Sequence, residues 1–302
     1  MFAEYIITVR MERKITGIVY KYHKINSHLE SLFRDKNIWH SPADSFNDPF
    51  EFKAIITENT NPEEIKKWFQ STSRKFEEET LDKIVTAWMQ RDSKEMTEWL
   101  NNTCQDVLKK GGVSCFSLRH DNLLMWAHYG DYHRGVCLEF NVEHDQTFFK
   151  DVLAVNYKEE YPKIDFIGNP KHAIPEIITN KSIHWQYEEE YRSCKKVHGA
   201  IPFNPEALRS VIFGCRVDEL TIERNIQMIK DVGFNHVNFV KASPKNDSYG
   251  LDFSYSEVNN FDQEEIPGKM ILKNKLDGKE MPIRFKMKKS KDNWDLEQDD
   301  GI

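Results

Sequence analysis

Aromatic and charged residues alternate through Trp185-Gln186-Tyr187-Glu188-Glu189-Glu190-Tyr191-Arg192. Side chains along a β-strand repeat every two residues. A strand here therefore puts Gln186, Glu188, Glu190 and Arg192 on one face, and Trp185, Tyr187, Glu189 and Tyr191 on the other. Two carboxylates and a guanidinium are costly to bury unless they are paired. Such a face belongs either beside a cleft, where the charges bind something, or on a solvated edge strand, where glutamate and arginine are neighbours in water.

The chain has 302 residues, 39% of them hydrophobic, which is enough for one large core or two modest ones. The formal net charge of -7 argues against a general polyanion-binding surface, although it leaves room for a local basic patch. The five cysteines, Cys104, Cys115, Cys137, Cys194 and Cys215, are odd in number and widely spaced, with no CxxC pair. That pattern argues against a disulfide framework and against a cysteine zinc site, so reduced thiols in a cytoplasmic protein are expected. Cys115, Cys137 and Cys215 lie in apolar strand contexts, which favour inert thiols over a nucleophile. Residues 1–14 form an N-terminal extension without the apolar core of a signal peptide. No stretch approaches about 18 uncharged apolar residues, so no membrane association is expected.

Along the chain, the expected organisation is α+β. A first strand runs over 15–22, and Asn26 or Ser27 caps a helix that holds Leu29, Leu32 and Phe33. A second strand covers 37–41, followed by a turn-rich loop containing Asn47-Asp48-Pro49. Residues 61–110 read as a helical insertion. Asn61-Pro62-Glu63-Glu64 is a helix start, and Ile65, Trp68, Phe69 and Phe76, then Leu81, Ile84, Val85 and Trp88, follow helical spacing. Strands at 112–117, 135–140, 185–192 and 211–214 complete a single domain over 15–242, with a helix over 220–232 and a strand over 236–241. A C-terminal extension over 243–288 holds a hairpin around Asp277-Gly278, and residues 289–302 are expected to be a disordered, highly polar tail.

Three groups of motifs, taken in order, carry a family resemblance. The first is Val19-Tyr20-Lys21-Tyr22, Trp39-His40-Ser41-Pro42 and Phe46-Asn47-Asp48-Pro49-Phe50-Glu51. The second is Cys115-Phe116-Ser117, Asp121-Asn122, Met125-Trp126-Ala127-His128-Tyr129 and Gly135-Val136-Cys137-Leu138. The third is Tyr187-Glu188-Glu189-Glu190-Tyr191-Arg192 followed by Val211-Ile212-Phe213-Gly214. Over roughly residues 15–242 the chain resembles the bacterial family catalogued as domain of unknown function 2971, a name that implies no activity.

The layout is also similar to the ADP-ribosyltransferase fold, including the toxins that modify nucleic acid. That similarity implies a split, mainly antiparallel sheet, with NAD as a substrate. It also implies an early strand that holds ribose or phosphate (here Tyr20, Lys21 and His23) and a middle segment offering Ser117, Trp126, His128 or Tyr129. A late strand carries the catalytic glutamate, here Glu188 or Glu190. Breaking the bond to nicotinamide builds positive charge on the ribose, which a fixed carboxylate stabilises. One glutamate would do this while the other orients or deprotonates the acceptor. Two carboxylates on one face repel, which raises one pKa. Arg192 and Lys21 would neutralise pyrophosphate, and Trp126 or Tyr129 would stack on nicotinamide. Trp126 on an apolar helix face is more often a core residue than a stacking platform. Ser114 and Ser117 alternate so that at most one faces a cleft, and Asn47 and Asp48 either build the turn or reach substrate.

The sequence departs from the pattern in three places. The early strand has no single fixed histidine or arginine, the middle segment reads Ser114-Cys115-Phe116-Ser117, and both Glu-x-Glu and Gln-x-Glu fit the late strand. The expected function is an NAD-cleaving enzyme that modifies a macromolecule, nucleic acid or protein. Its expected setting is a bacterial toxin or phage-defence effector with an antitoxin or activating partner. Two other readings are a non-enzymatic binding module and a metal-dependent nuclease built on Asp48, Glu188, Glu190 and a histidine. The nuclease reading lacks the lysine of an Asp…Glu-x-Lys pattern, because position 192 is arginine. No resident metal is expected.

Overall fold

Gly17, at φ 81°, turns the chain into the first strand, β1 (Ile18–His23). The Asn26 side chain accepts from the backbone N–H groups of His28 and Leu29 and starts α1 (Ser27–Asp35), which buries Leu29, Leu32 and Phe33 as its spacing predicts. β2 (Asn37–His40) and the short β3 (Ile55–Ile56) follow. The expected insertion is three helices: α2 (Pro62–Ser71), α3 (Glu78–Met89) and α4 (Ser93–Lys110). Next come β4 (Gly112–Ser117), α5 (Leu123–His128), β5 (Val136–Asn141), β6 (Val152–Ala154), β7 (Asn156–Lys158) and β8 (Lys163–Ile164). The chain continues through α6 (Pro170–Thr179), β9 (Asn180–Ser182), β10 (Glu190–Lys195), β11 (Gly199–Pro202), β12 (Leu208–Phe213), α7 (Glu219–Asp231), β13 (Asn238–Pro244) and β14 (Leu251–Tyr255). The computed structural model describes residues 15–57, 59–71, 76–255, 266–273, 280–290 and 293–298. The expected N-terminal extension, 1–14, lies outside them.

The architecture is mixed α/β around a large, mainly antiparallel sheet of eight strands in the order β14-β13-β12-β5-β1-β4-β10-β6. The β12–β13 pair is parallel because α7 carries the chain back across the sheet. The sheet extends through β14, beyond the expected boundary at 242. All eight strands are hydrogen-bonded neighbours, yet the sheet opens at one seam. β1 pairs with β5, and β10 with β4, over six residues each, whereas β1 meets β4 in register only at Tyr20↔Ser117. β1 and β4 thus splay apart locally within one continuous sheet.

The insertion helices bury Ile65, Trp68, Leu81, Val85, Trp88, Leu100 and Cys104. Most of these pack with Phe166, Ile174 and Ile177 from the β8–α6 region. Trp68 and Trp88 lie 5.5 Å apart in this core. The five cysteines are free, and burial pushes the Cys104 thiol up to about 12.

The alternating segment departs from the expected single strand. Residues Ile183–Glu188 form a 3-10 turn, started by the Ser182 side chain accepting from His184 N. Glu189 closes it in the left-handed region at φ 43°, and β10 begins only at Glu190. Alternating residue types fit a strand, but local capping won at the N-terminal half. Gln186 is consequently exposed, whereas Glu188 swings back to the buried side occupied by Glu190 and Arg192.

The chain divides into two compact units, Met1–Ser254 and Tyr255–Ile302. In the second, β15 (Ile266–Lys273), β16 (Glu280–Ser290) and β17 (Asn293–Gln298) form an antiparallel sheet. The expected Asp277-Gly278 turn lies outside the described residues, between two paired strands. Within the segment expected to be a disordered tail, residues 293–298 form β17 and pair with β16. Among the described residues no helix is long and apolar enough to cross a membrane.

Candidate functional site

The seam between β1 and β4 opens into a cleft of about 400 Å³. Tyr20, Lys21 and Tyr22 of β1 form one wall, and Cys115, Phe116 and Ser117 of β4 form the facing one. α5 and its C-cap add His128 and Tyr129, the loop after β2 adds Phe46 and Glu51, and Lys181, Glu188 and Glu190 also border it.

Beside the cleft lies a cluster of five charged side chains, Glu51, Lys181, Glu188, Glu190 and Arg192, none more than 6% exposed. The Arg192 guanidinium donates from Nε to Glu190 Oε1 at 2.8 Å, and from one terminal nitrogen to both Glu51 oxygens at 2.9 and 3.0 Å. Its other terminal nitrogen donates to the carbonyl of Ile178. The Lys181 ammonium reaches three carboxylates, at 2.5 Å for Glu188, 3.0 Å for Glu190 and 3.1 Å for Glu51. Tyr129 Oη donates to the other Glu188 oxygen at 2.8 Å. Charges this deeply buried persist only when their partners satisfy them, and here each has at least one charged partner.

The two glutamates are not equivalent. Burial favours the protonated form of Glu190, but Arg192 and Lys181 override it and hold this carboxyl at about 2. Burial also raises Glu188, and there the opposing Lys181 does not win, because the Glu190 charge adds to the rise. One carboxylate is held as an anion, and its neighbour binds a proton more readily than an ordinary glutamate. Lys21 is drawn down from the ordinary lysine value by burial, against the pull of Cys115 and Glu190.

Glu190 gives a first expected result. Its carboxyl lies below the ordinary value of 4.5, so the stabilisation it contributes is complete above pH 4.5 and is lost as pH falls toward 2. Thermal melts across that range should fall more steeply for the wild type than for Glu190→Gln. Parallel curves would show that Glu190 carries no such stabilisation.

Six of the eight expected site residues border the cleft: Tyr20, Lys21, Ser117, Tyr129, Glu188 and Glu190. Lys21 and Glu190 therefore face one cavity. The roles of several differ from expectation. Lys21 Nζ donates to Ser114 Oγ at 2.8 Å and to the Cys115 carbonyl at 3.2 Å, bridging the splayed strands. Ser117 Oγ donates to the Glu188 carbonyl at 2.6 Å and accepts from Arg119 N, so it anchors the backbone of Glu188. Arg192 is corrected from a pyrophosphate ligand to an internal partner of Glu51 and Glu190, because it is fully buried with its donors engaged.

Trp126 is likewise corrected from a nicotinamide platform to a core residue. It has no exposed surface, its indole N–H donates to the His120 carbonyl at 2.7 Å, and its ring meets Tyr22 edge-on at 5.1 Å. Trp126→Ala should destabilise the fold by about 3–5 kcal/mol in a urea titration, since it leaves a large cavity. A loss below about 1 kcal/mol would contradict this placement.

Glu51 and Lys181 were not anticipated. Glu51 follows the Asn47-Asp48-Pro49 turn, and Lys181 sits just past α6, so each resembles a solvated residue. Asp48 does build the turn: one carboxylate oxygen accepts from Phe50 N, and the other from the Trp185 indole at 2.7 Å. That second bond ties the loop carrying Glu51 to the 3-10 turn carrying Glu188. The residues of the nuclease reading are thus committed to internal partners, and among the described residues no group of three or more His, Cys, Asp or Glu side chains is arranged to hold a metal ion.

No curated protein and no solved structure matches the chain. Residues 125–193 match the model of the family described as protein of unknown function (DUF2971), and this is the stretch that supplies Tyr129, Lys181, Glu188, Glu190 and Arg192 to the site.

Proposed function

We propose that the cleft cleaves NAD at its nicotinamide–ribose bond and passes the ADP-ribose to a macromolecular acceptor or to water. One observation carries the reading: two buried glutamates border the same cleft in unlike settings, Glu190 between Arg192 and Lys181, and Glu188 between Lys181 and the Tyr129 hydroxyl. The bond from ribose C1′ to nicotinamide breaks, and the ring leaves as neutral nicotinamide with the bonding electron pair. Positive charge develops on the ribose, and the fixed carboxylate of Glu190 is a preorganised anion near it. The acceptor's oxygen or nitrogen bonds to C1′, and its proton passes to Glu188, the carboxylate with the higher proton affinity. Tyr20, Tyr22, Phe116 and Tyr129 supply aromatic walls for a flat ring. The cavity is within the usual size range for small-ligand sites, roughly 300–1,000 Å³. The splayed β1–β4 seam supports an ADP-ribosyltransferase-like arrangement of the sheet. The setting proposed with this chemistry is a bacterial toxin or phage-defence effector in the cytoplasm, controlled by an antitoxin or an activating partner.

The test is nicotinamide release from NAD by the purified protein, with cell extract as the acceptor source, for the wild type and for Glu188→Gln and Glu190→Gln. Release by the wild type that is lost in the variants supports the reading. Absence of release from the wild type under all conditions counts against it. A second reading, a non-enzymatic binding module, is favoured by the saturation of Arg192 and Lys181 by internal carboxylates, as in a structural ion cluster. On that reading the same substitutions change stability and partner binding, and there is no turnover to lose.

A further inference from the structure

A second cavity, of about 580 Å³, meets the first along Lys21, Tyr22, Ser41, His128 and Tyr129. Its wall has a composition unlike the rest of this acidic chain. β2 alternates so that Ile38 and His40 have no exposed surface while Trp39 is 58% exposed, and Trp39 lines the cavity. The strand partner opposite Trp39 is Ala200, whose single methyl group cannot cover an indole. Among the described residues Trp39 has no ring neighbour, and its indole N–H has no acceptor. Lys24 also lines the cavity, and among the described residues its ammonium has no carboxylate partner. Burial pushes His23 down to about 4, so at neutral pH its ring adds no positive charge to this wall. Asp35 contributes one carboxylate that can accept from hydroxyl or amino groups.

An uncovered indole, a free ammonium and one acceptor carboxylate around one cavity match the three parts of a nucleotide: a flat base, a phosphate and a sugar with hydroxyl donors. We propose that the second cavity binds one nucleotide unit, with its base stacked on Trp39 and its phosphate at Lys24. This binding does not require NAD cleavage. The reading above adds only that a nucleotide held here lies against Tyr129, beside Glu188. The same chemistry is offered by the adenylate half of a dinucleotide and by a nucleotide of a single strand.

The experiment measures binding to the full chain by calorimetry with AMP and with NAD, and by fluorescence anisotropy with a labelled single strand of about 12 nucleotides. Trp39→Ala should weaken binding about tenfold, and Trp39→Phe, which keeps a ring, should stay within about threefold of the wild type. Lys24→Ala should reduce the salt dependence of strand binding by about 0.7 in log–log slope. Binding of AMP and NAD alone assigns the cavity to the dinucleotide, and binding of the strand assigns it to an acceptor. Both outcomes support a nucleotide site. Lack of binding by every probe, or equal affinity in Trp39→Ala and the wild type, overturns it. Probe binding and nicotinamide release are read separately on the wild type, so a failed NAD assay and a failed binding assay remain distinguishable.

Discussion

Lys181→Met should lower the stability of the fold by about 3–5 kcal/mol, a drop in melting temperature on the order of 10 °C. Lys181 is the only ammonium that touches Glu51, Glu188 and Glu190 together among the described residues. Its removal leaves three carboxylates, each 3–4% exposed, facing the single guanidinium of Arg192. Breaking one partner out of a buried ion cluster is far worse than replacing the whole cluster with apolar groups, because the remaining charges lose compensation without regaining water. Lys181→Arg keeps the charge and should lose less. Lys83 provides the control: its pair with Glu79 is 74% and 83% exposed, and Lys83→Met should shift stability by no more than about 0.5 kcal/mol. A loss below about 1 kcal/mol for Lys181→Met would show that these carboxylates are hydrated.

On the proposed chemistry, Glu188→Gln should reduce nicotinamide release by about 10²–10³-fold while the protein stays folded. The amide preserves the size of the side chain and can still meet Tyr129, but it cannot take up the acceptor's proton. The pH profile separates this role from a structural one. Glu188 must be ionised to act as a base, so the rate should rise with pH through its raised pKa. Glu190→Gln removes the neighbouring negative charge and should move that limb to lower pH. Lys181→Met removes the opposing positive charge and should move it to higher pH. A limb at the same pH in all three proteins would exclude Glu188 as the proton acceptor.

Much of the fold was readable because its determinants are local. Asn26 caps α1, and the spacing of Ile65 and Trp68, then of Leu81, Val85 and Trp88, marks α2 and α3 through a period that each segment carries alone. The 3-10 turn at 183–188 was misread because alternation of residue types is compatible with both strand and turn. The Ser182 cap and the left-handed Glu189 decided between them. Trp126 shows a related ambiguity. An apolar helix face and an aromatic cleft wall have the same sequence pattern, and only the position of α5 against Tyr22 and His133 put the indole in the core.

By itself, the sequence determined that Glu190 and Arg192 share a face. They are two residues apart on a strand, and the pleat fixes that geometry wherever the strand lies. It also determined the helical insertion and the charged character of the site. The tertiary structure alone decided which charges meet: Glu51 reaches Arg192 across 141 positions of sequence, and Lys181 arrives from beyond α6. Proton affinity follows from distance and burial, since a charge pair strengthens as water is excluded and weakens as partners separate. Neither quantity is a property of a residue and its sequence neighbours. The carboxyl group that stays ionised and the one that can carry a proton are therefore fixed only once the chain has closed around them.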